Sequence, residues 1–142
     1  MPRYLGLDWG EKRTGVAISD DRGSFAVGYD VCPTPDLLSR LASIVREEAI
    51  DIVVVGYPLT LRGEIGPKAQ EVDRFIEQLR GQGYTVEKWD ERYTTQDASR
   101  SLSEAGISQR KQRGRIDMSA AVLMLQSFLD SNRPGREETI GG

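Results

Sequence analysis

The chain has 142 residues, and its 19 Lys and Arg against 22 Asp and Glu give a net charge of −3. This length predicts one domain with a buried core, and the charge excludes a uniformly basic coat for nucleic acid. Because the sequence has no histidine and only one cysteine, Cys32, it excludes His-dependent catalysis, disulfide frameworks and Cys/His zinc sites, so any acid–base or metal chemistry must use carboxylates.

The first twenty residues predict a strand, a tight turn and a second strand. The apolar segment from Tyr4 to Leu7 ends in Asp8, and Gly10 permits a sharp reversal into a strand from Thr14 to Ser19. A carboxylate at a strand end is costly to surround with protein unless it is paired, hydrogen-bonded or metal-bound. The same turn holds two basic residues, Lys12 and Arg13. This unit therefore favours phosphate and metal binding, with an ordinary surface hairpin as the alternative.

The middle of the chain alternates strand and helix patterns. A third strand at 25–31 completes an antiparallel meander, and Cys32 after it is predicted to be a small buried hydrophobe. Helical apolar spacing follows from Pro35 to about Glu48. The β-branched run at 51–56 is typical of a strand covered on both faces. Next come a predicted helix at 67–81 and a predicted strand at 84–89, which leads into Asp90, Glu91 and Arg92.

The last third of the chain predicts two helices separated by a basic loop. Thr94 to Asp97 resembles a capping box that opens a helix ending at Gly106. The predicted loop at 106–115 holds the densest positive run of the chain, Arg110, Lys111, Arg113 and Arg115. The final helix, at 116–130, has Asp117 in its first turn and a predicted buried face of Ile116, Ala120, Leu123, Met124 and Phe128. Residues 1–131 are thus one predicted domain, and residues 132–142 a flexible tail.

Three acidic positions fall at the ends of predicted elements: Asp8, Asp90 or Glu91, and Asp117. Carboxylates that converge without a cationic partner raise one another's pKa unless a divalent metal neutralises them. Oxygen-only sites suit Mg²⁺ or Mn²⁺, and two such ions would serve an in-line phosphodiester hydrolysis. Strand parity does not choose between Asp90 and Glu91, because each shares a face with one large apolar residue. Asp90 also suits a structural role, accepting hydrogen bonds from turn amides.

Four motifs follow one another along nearly the whole chain. The first joins Gly6-Leu7-Asp8-Trp9-Gly10 to the segment 12–17, and the second runs from Val54-Val55-Gly56 to Ala69. The third is the segment 90–95, and the fourth joins Ile116-Asp117 to the segment 120–126. Together these motifs resemble the YqgF (RuvX) family, in the RuvC-like branch of the ribonuclease H-like superfamily.

This resemblance implies an α/β, ribonuclease H-like fold with a mixed five-stranded sheet, a three-strand antiparallel meander plus two parallel strands, flanked by helices. It implies a hydrolase acting on ester bonds, a nuclease that uses Mg²⁺ or Mn²⁺, with two ions expected. Residue by residue, it assigns Asp8, Glu91 and Asp117 as catalytic and metal-binding acids. It also implies a role in processing the 5′ end of precursor 16S rRNA or in acting on Holliday junctions.

Nucleic acid is the expected partner, either pre-rRNA or single-stranded or branched nucleic acid. Phosphate contacts are predicted for the basic residues of the motifs and the basic run, with a solvated loop as the alternative for the run. They are Lys12, Arg13, Arg92, Arg110, Lys111, Arg113 and Arg115. Three aromatic residues beside the motifs, Trp9, Tyr57 and Tyr93, are candidates for stacking on unpaired bases, although core packing explains Trp9 equally well.

Two other functions fit parts of the sequence. A metal-free nucleic-acid-binding or regulatory module of the same fold would need none of the three acids. An actin-like or sugar-kinase ATPase would use the 8–15 turn for phosphate, but it needs two such domains. The expected protein is a monomer or a homodimer, the latter if it resolves junctions. It is expected to be cytoplasmic and not membrane-bound, because no apolar run approaches the roughly 18 residues of a membrane span and no signal peptide is visible.

Overall fold

A five-stranded mixed sheet forms the centre of the fold. The computed structural model describes the backbone of residues 2–93 and 109–131 and the side chains of residues 2–92 and 119–131. The sheet contains β1 (Tyr4–Asp8), β2 (Arg13–Ser19), β3 (Ala26–Pro33), β4 (Ile52–Tyr57) and β5 (Val86–Asp90). Its order is β3-β2-β1-β4-β5, with antiparallel pairing from β3 to β1 and parallel pairing from β1 to β5. The predicted meander followed by two parallel strands is therefore confirmed.

Helices cover both faces of this sheet. They are α1 (Leu37–Glu47), α2 (Pro67–Gly81) and α3 (Gln109–Ser131), with short 3₁₀ turns at Thr34–Asp36 and Glu91–Tyr93. α1 and α2 pack on one face and α3 on the other. No helix within residues 2–93 and 109–131 combines the length and the apolar character that a membrane crossing needs. The predicted helix after Thr94 and the predicted tail at 132–142 lie outside the described residues.

At the centre of β1 and β2 the two faces of the sheet carry side chains of different size. In β1, Leu5 and Leu7 point into the core beneath α1 and α2, whereas Gly6 lies against α3. β2 repeats this alternation, because Ile18 joins the α1 side and Ala17 the α3 side. Strand geometry produces the alternation, since successive side chains leave a strand on opposite faces. Small residues on the α3 side let that helix approach the backbone closely.

Three contacts fix α3 on the sheet. A Cβ added to Gly6 would lie only 2.9 Å from Cβ of Leu125, so the helix rests directly on β1. The Phe128 ring meets Tyr4 and Trp89 edge-to-face, with ring centroids 5.3 Å and 5.8 Å apart. The Gln126 amide accepts a hydrogen bond from Ala26 N–H at 2.9 Å and donates to the Ser24 carbonyl at 2.8 Å, which ties α3 to the start of β3.

One prediction about α3 is wrong, and another is confirmed only in part. The helix begins at Gln109 rather than Ile116, so the basic run belongs to the helix and not to a loop. Arg, Lys and Gln are good helix formers, and nothing in their polarity distinguishes an exposed helical turn from a loop. Of the predicted buried face, Met124 and Phe128 are buried and Ala120 and Leu123 are only half-buried, whereas the side chain of Ile116 lies outside the described residues. Within residues 119–131 the other buried side chains are Ala121, Leu125 and Leu129. Residues 120–125 are all apolar, so the sequence pattern alone does not show which side of the helix is buried. The buried side is the one whose Leu125 fits over Gly6 of β1.

The remaining boundaries differ less from the predictions. β5 begins at Val86, two residues later than predicted, and includes Asp90. The helix predicted from Pro35 begins with a 3₁₀ turn at Thr34–Asp36. Cys32 lies inside β3 and is buried, which confirms its predicted role as a small hydrophobe, and burial raises the pKa of its thiol.

β3 is an edge strand with an irregular register. Val16 and Ala17 of β2 pair with Asp30 and Gly28, which leaves Tyr29 as the extra residue of a β-bulge. The apolar side chains before the bulge, Phe25 and Val27, are exposed. Asp30 is bound by the Arg40 guanidinium of α1.

Gly6→Ala tests the close packing of α3 on β1. The added methyl would push against Leu125, so the free energy of unfolding should fall by about 1–3 kcal/mol, as in other overpacked cores. Urea denaturation measures this change. Gly81→Ala is the matched control, because no described atom outside its immediate neighbours lies within 4 Å of the added Cβ, and its stability should be equal to or slightly above wild type. Equal stability of both variants would contradict the contact.

Candidate functional site

Asp8 is the last residue of β1, at the edge of the sheet where the turn to β2 begins. Asp8 is half-buried, and the turn after it is tight, since a Cβ on Gly10 would collide with the carbonyl oxygen of Arg13. Thr34 stabilises this turn from the other side. Its hydroxyl donates to the Gly10 carbonyl at 2.6 Å, and its N–H donates to the Lys12 carbonyl at 2.9 Å. Asp8 is therefore followed by a turn that is hydrogen-bonded to the 3₁₀ turn at Thr34–Asp36.

Glu91 reaches the same edge from β5. It opens the 3₁₀ turn after β5 and is half-buried. Its carboxylate lies over the backbone of Gly56 in β4, where an added Cβ would be 2.5 Å from Oε1 of Glu91. Any side chain at position 56 would displace this carboxylate. The glycine of β4 thus provides the space that Glu91 occupies.

Strand alternation gives Asp8 and Gly56 the same orientation at the edge of the sheet where β1 and β4 end. Gly6 and Val54 face α3, and Asp8 and Gly56 lie two residues further along the same strands. The register joins Leu7 to Val55, so Asp8 and Gly56 occupy the next positions of adjacent strands. With Glu91 above Gly56, the two carboxylates converge at one end of the sheet.

One cavity of about 340 Å³ is lined by both Asp8 and Glu91. Among the described residues, two further acids, Glu11 and Glu71, and one cation, Lys68, also line it. Sequence reasoning missed these three residues, because a charge on an exposed turn or in the first turns of a helix has no pattern that distinguishes a cavity from solvent. Negative charge dominates the described lining, which suits a divalent cation with oxygen ligands.

Asp90 has a different environment from its neighbour Glu91. Its carboxylate accepts hydrogen bonds from the Arg92 N–H at 2.9 Å and from Nη2 of Arg92 at 2.6 Å. These bonds from Arg92 hold the pKa of the Asp90 carboxyl below its usual range. The Arg92 guanidinium also lies against Gly63, whose φ of +83° favours glycine. Asp90 therefore fixes the turn that presents Glu91, and part of the charge of Arg92 is already neutralised.

Asp117 belongs to the half of α3 that points to the same edge. Leu125 packs on Gly6 while Phe128 packs on Tyr4, so α3 runs antiparallel to β1 and its N-terminal half extends towards the end that carries Asp8. The backbone of α3 also contacts the 3₁₀ turn of Glu91. The side chain of Asp117 lies outside the described residues. Among the side chains that the structure describes, no three acids, His or Cys form a group close enough to hold a metal ion.

Apart from Arg92, which is bonded to Asp90, the residues predicted to contact phosphate fall into two groups. Lys12 and Arg13 are exposed, Lys12 in the turn that follows β1 and Arg13 at the start of β2. The basic run occupies the first turns of α3, where Arg110 and Arg113, and also Lys111 and Arg115, are three or four residues apart. Such spacing places helical residues next to each other. The side chains of this run lie outside the described residues.

The structure argues against Tyr57 as a stacking surface. Its ring is buried, its hydroxyl donates to Asp73 Oδ2 at 2.7 Å, and Lys88 Nζ lies 4.5 Å from the ring centroid. Burial, and then the hydrogen bond to Asp73, raise the pKa of Tyr57 to about 12. Trp9 is half-buried and packs against Phe75 with ring centroids 6.1 Å apart. The side chain of Tyr93 lies outside the described residues.

Known proteins match this sequence over most of its length. A family model described as RuvX: Holliday junction resolvase matches residues 2–131. A Ruminiclostridium cellulolyticum protein named "Putative pre-16S rRNA nuclease" is 40% identical over 133 residues, which cover 90% of this chain and 94% of that protein. A Pelotomaculum thermopropionicum protein of the same name is 44% identical over 141 residues, which cover 95% and 92%.

A solved structure shows a similar fold at low sequence identity. Thermus thermophilus RuvC in complex with a Holliday junction substrate matches with a TM-score of 0.55 and 11% identity, over 92% of this chain and 95% of that one. At this identity the match concerns the fold alone. The predicted ribonuclease H-like fold is thereby confirmed.

Asp73→Asn tests the network that buries Tyr57. The hydrogen bonds from Tyr57 and then Lys88 hold the pKa of Asp73 below 3.8, so its charged form stabilises the fold above that value and this contribution is lost as the pH falls through the native pKa. The variant should be less stable than wild type at pH 7, and the difference should narrow below about pH 4. Urea denaturation across this range measures it. Asp21→Asn, at a side chain that is 94% exposed, should show little difference at any pH.

Proposed function

The chain belongs to the RuvX family, and from this premise we propose that it is a divalent-metal-dependent nuclease that hydrolyses phosphodiester bonds in nucleic acid. The observation that carries the proposal is the convergence of Asp8 and Glu91 in one cavity at the carboxyl ends of β1 and β5. In open α/β sheets this edge is where ligands bind. A binding module of the same fold would need neither of these two acids.

The residues present fit a hard divalent cation. Asp8 and Glu91 would hold it through carboxylate oxygens, and Asp117 is the third acid that we assign. When bound, such an ion neutralises charge on the phosphate and lowers the pKa of a water molecule. Gly56 keeps the Glu91 carboxylate close to β4, and Thr34 keeps the turn after Asp8 closed. Both acids are therefore held in place before substrate arrives, which limits the reorganisation needed for catalysis.

We assign the 5′ end of precursor 16S rRNA as the substrate, with Holliday junctions as the second candidate. The names of the relatives that cover most of the chain support the first, and the description of the family model supports the second. A cleavage panel of a precursor RNA fragment, single-stranded DNA and a four-way junction distinguishes them. Faster cleavage of the precursor RNA than of the other two substrates supports the assignment. Faster cleavage of the four-way junction would make the Holliday junction the assigned substrate instead.

Asp8→Asn and Glu91→Gln should each reduce cleavage of the precursor RNA with Mn²⁺ by more than about 100-fold, because losing a ligand costs more than the 10- to 100-fold typical of supporting groups. Asp90→Asn is the matched control: its role in the turn predicts lower stability with measurable cleavage. Cleavage by wild type should disappear in EDTA. Millimolar Mn²⁺ should also raise the Tm of wild type but not of Asp8→Asn. Normal cleavage by Glu91→Gln together with loss of cleavage in Asp90→Asn would reassign the ligand after β5 from Glu91 to Asp90.

Neutralising the basic run tests its assignment to the phosphate backbone. Arg110→Gln with Arg113→Gln should weaken binding of single strands of any sequence and flatten the dependence of log affinity on log salt by roughly 0.7 per lost contact. Fluorescence anisotropy in EDTA measures binding without cleavage. Arg22→Gln with Arg46→Gln is the control, because both residues are exposed near the opposite end of the sheet from Asp8. An unchanged salt slope in the α3 variant would identify the run as a solvated helical face.

A further inference from the structure

A second cavity of about 540 Å³ adjoins the one that holds Asp8 and Glu91. It lies between α2 and the 3₁₀ turn at Thr34–Asp36, and its volume is within the roughly 300–1,000 Å³ of small-molecule sites. The cavities share three lining residues, Trp9, Glu11 and Glu71. A group seated in the second cavity would therefore lie next to whatever occupies the first.

The apolar lining of the second cavity includes two aromatic rings. Trp9 and Phe75 line it together and pack against each other at an interplanar angle of 31°. Leu38 of α1 closes the opposite side. Aromatic side chains of this kind bind nucleobases by stacking, and they do so whatever the sequence, because every base has a π-face.

The charged part of the second cavity disfavours phosphate. Glu11 and Glu71 line it, and Arg74 is its only cation among the described residues. Two carboxylates repel a phosphate group but accept hydrogen bonds from the N–H groups of a base. Gln78, on the same face of α2 as Glu71 and Arg74, adds an amide that both donates and accepts. The lining thus matches a neutral, flat group with polar edges.

We propose that this cavity binds one unpaired nucleobase of the substrate, in the nucleotide next to the phosphate that is cleaved. The position of this base next to the cleaved phosphate rests on the proposed nuclease function, because Trp9 lines both this cavity and the one that holds Asp8 and Glu91. A paired base inside a duplex does not enter such a cavity without being unstacked. The cavity therefore selects single-stranded or locally opened nucleic acid.

Binding in EDTA tests this site apart from cleavage. The probe is tetra-adenylate, whose bases stack and carry amino groups, and the readout is tryptophan fluorescence. Stacking on Trp9 should quench the emission of wild type, and Trp9→Phe, which keeps Trp89, should lose the quenching. Gln78→Ala should weaken the affinity about three- to tenfold through the loss of hydrogen bonds. Gln82→Ala, one turn further along and just after α2, is the matched control and should bind as wild type does.

Two competing ligands complete the experiment. An abasic tetranucleotide keeps the phosphates but has no bases, and a blunt duplex keeps the bases but pairs them. Neither should quench Trp9. Equal quenching by either ligand, or equal affinity of the Gln78→Ala and wild-type proteins, would overturn the proposal. If tetra-adenylate quenches Trp9 while Mn²⁺ supports no cleavage, the base site stands and the nuclease assignment fails. Cleavage without quenching would support the nuclease assignment and overturn the base site.

Discussion

Parallel pairing of β1, β4 and β5 makes three strands end at one edge of the sheet, and the candidate site depends on this constraint. Asp8 and Glu91 are far apart in sequence and meet only because their strands flank β4. Gly56 leaves free the space over β4 that the Glu91 carboxylate occupies, and the hydrogen bonds from Arg92 hold the neighbouring Asp90 carboxylate in the turn.

The unequal faces of the sheet also contribute to the site. Large apolar side chains separate α1 and α2 from the strands, whereas Gly6 and Ala17 let α3 rest almost on the backbone. A helix this close to β1 has little freedom to slide, because Leu125 is seated over a single glycine. The position of the N-terminal half of α3 relative to Asp8 is thus determined by packing several residues away from the acids.

The sequence predicted the fold better than it predicted the details of the site. The unbroken β-branched run of β4 and the regular apolar period of α2 each have one structural interpretation, and both elements appear as expected. The sequence pattern does not distinguish Asp90 from Glu91. Their environments differ only because the chain turns after β5 and Arg92 folds back to bind Asp90. The polarity of the basic run likewise led to the prediction of a loop, where the structure has the first turns of α3. Tyr57 was misjudged because its partner Asp73 lies on another element.

The bulge in β3 has a consequence for how molecules of this protein meet one another. An edge strand offers a row of unused hydrogen-bonding groups, and exposed apolar residues such as Phe25 and Val27 would strengthen an edge-to-edge encounter. Tyr29 interrupts the regular spacing of that row, and Pro33 at its end has no N–H to give. A second chain therefore finds no continuous ladder to extend, which protects the meander against growth into intermolecular β-aggregates.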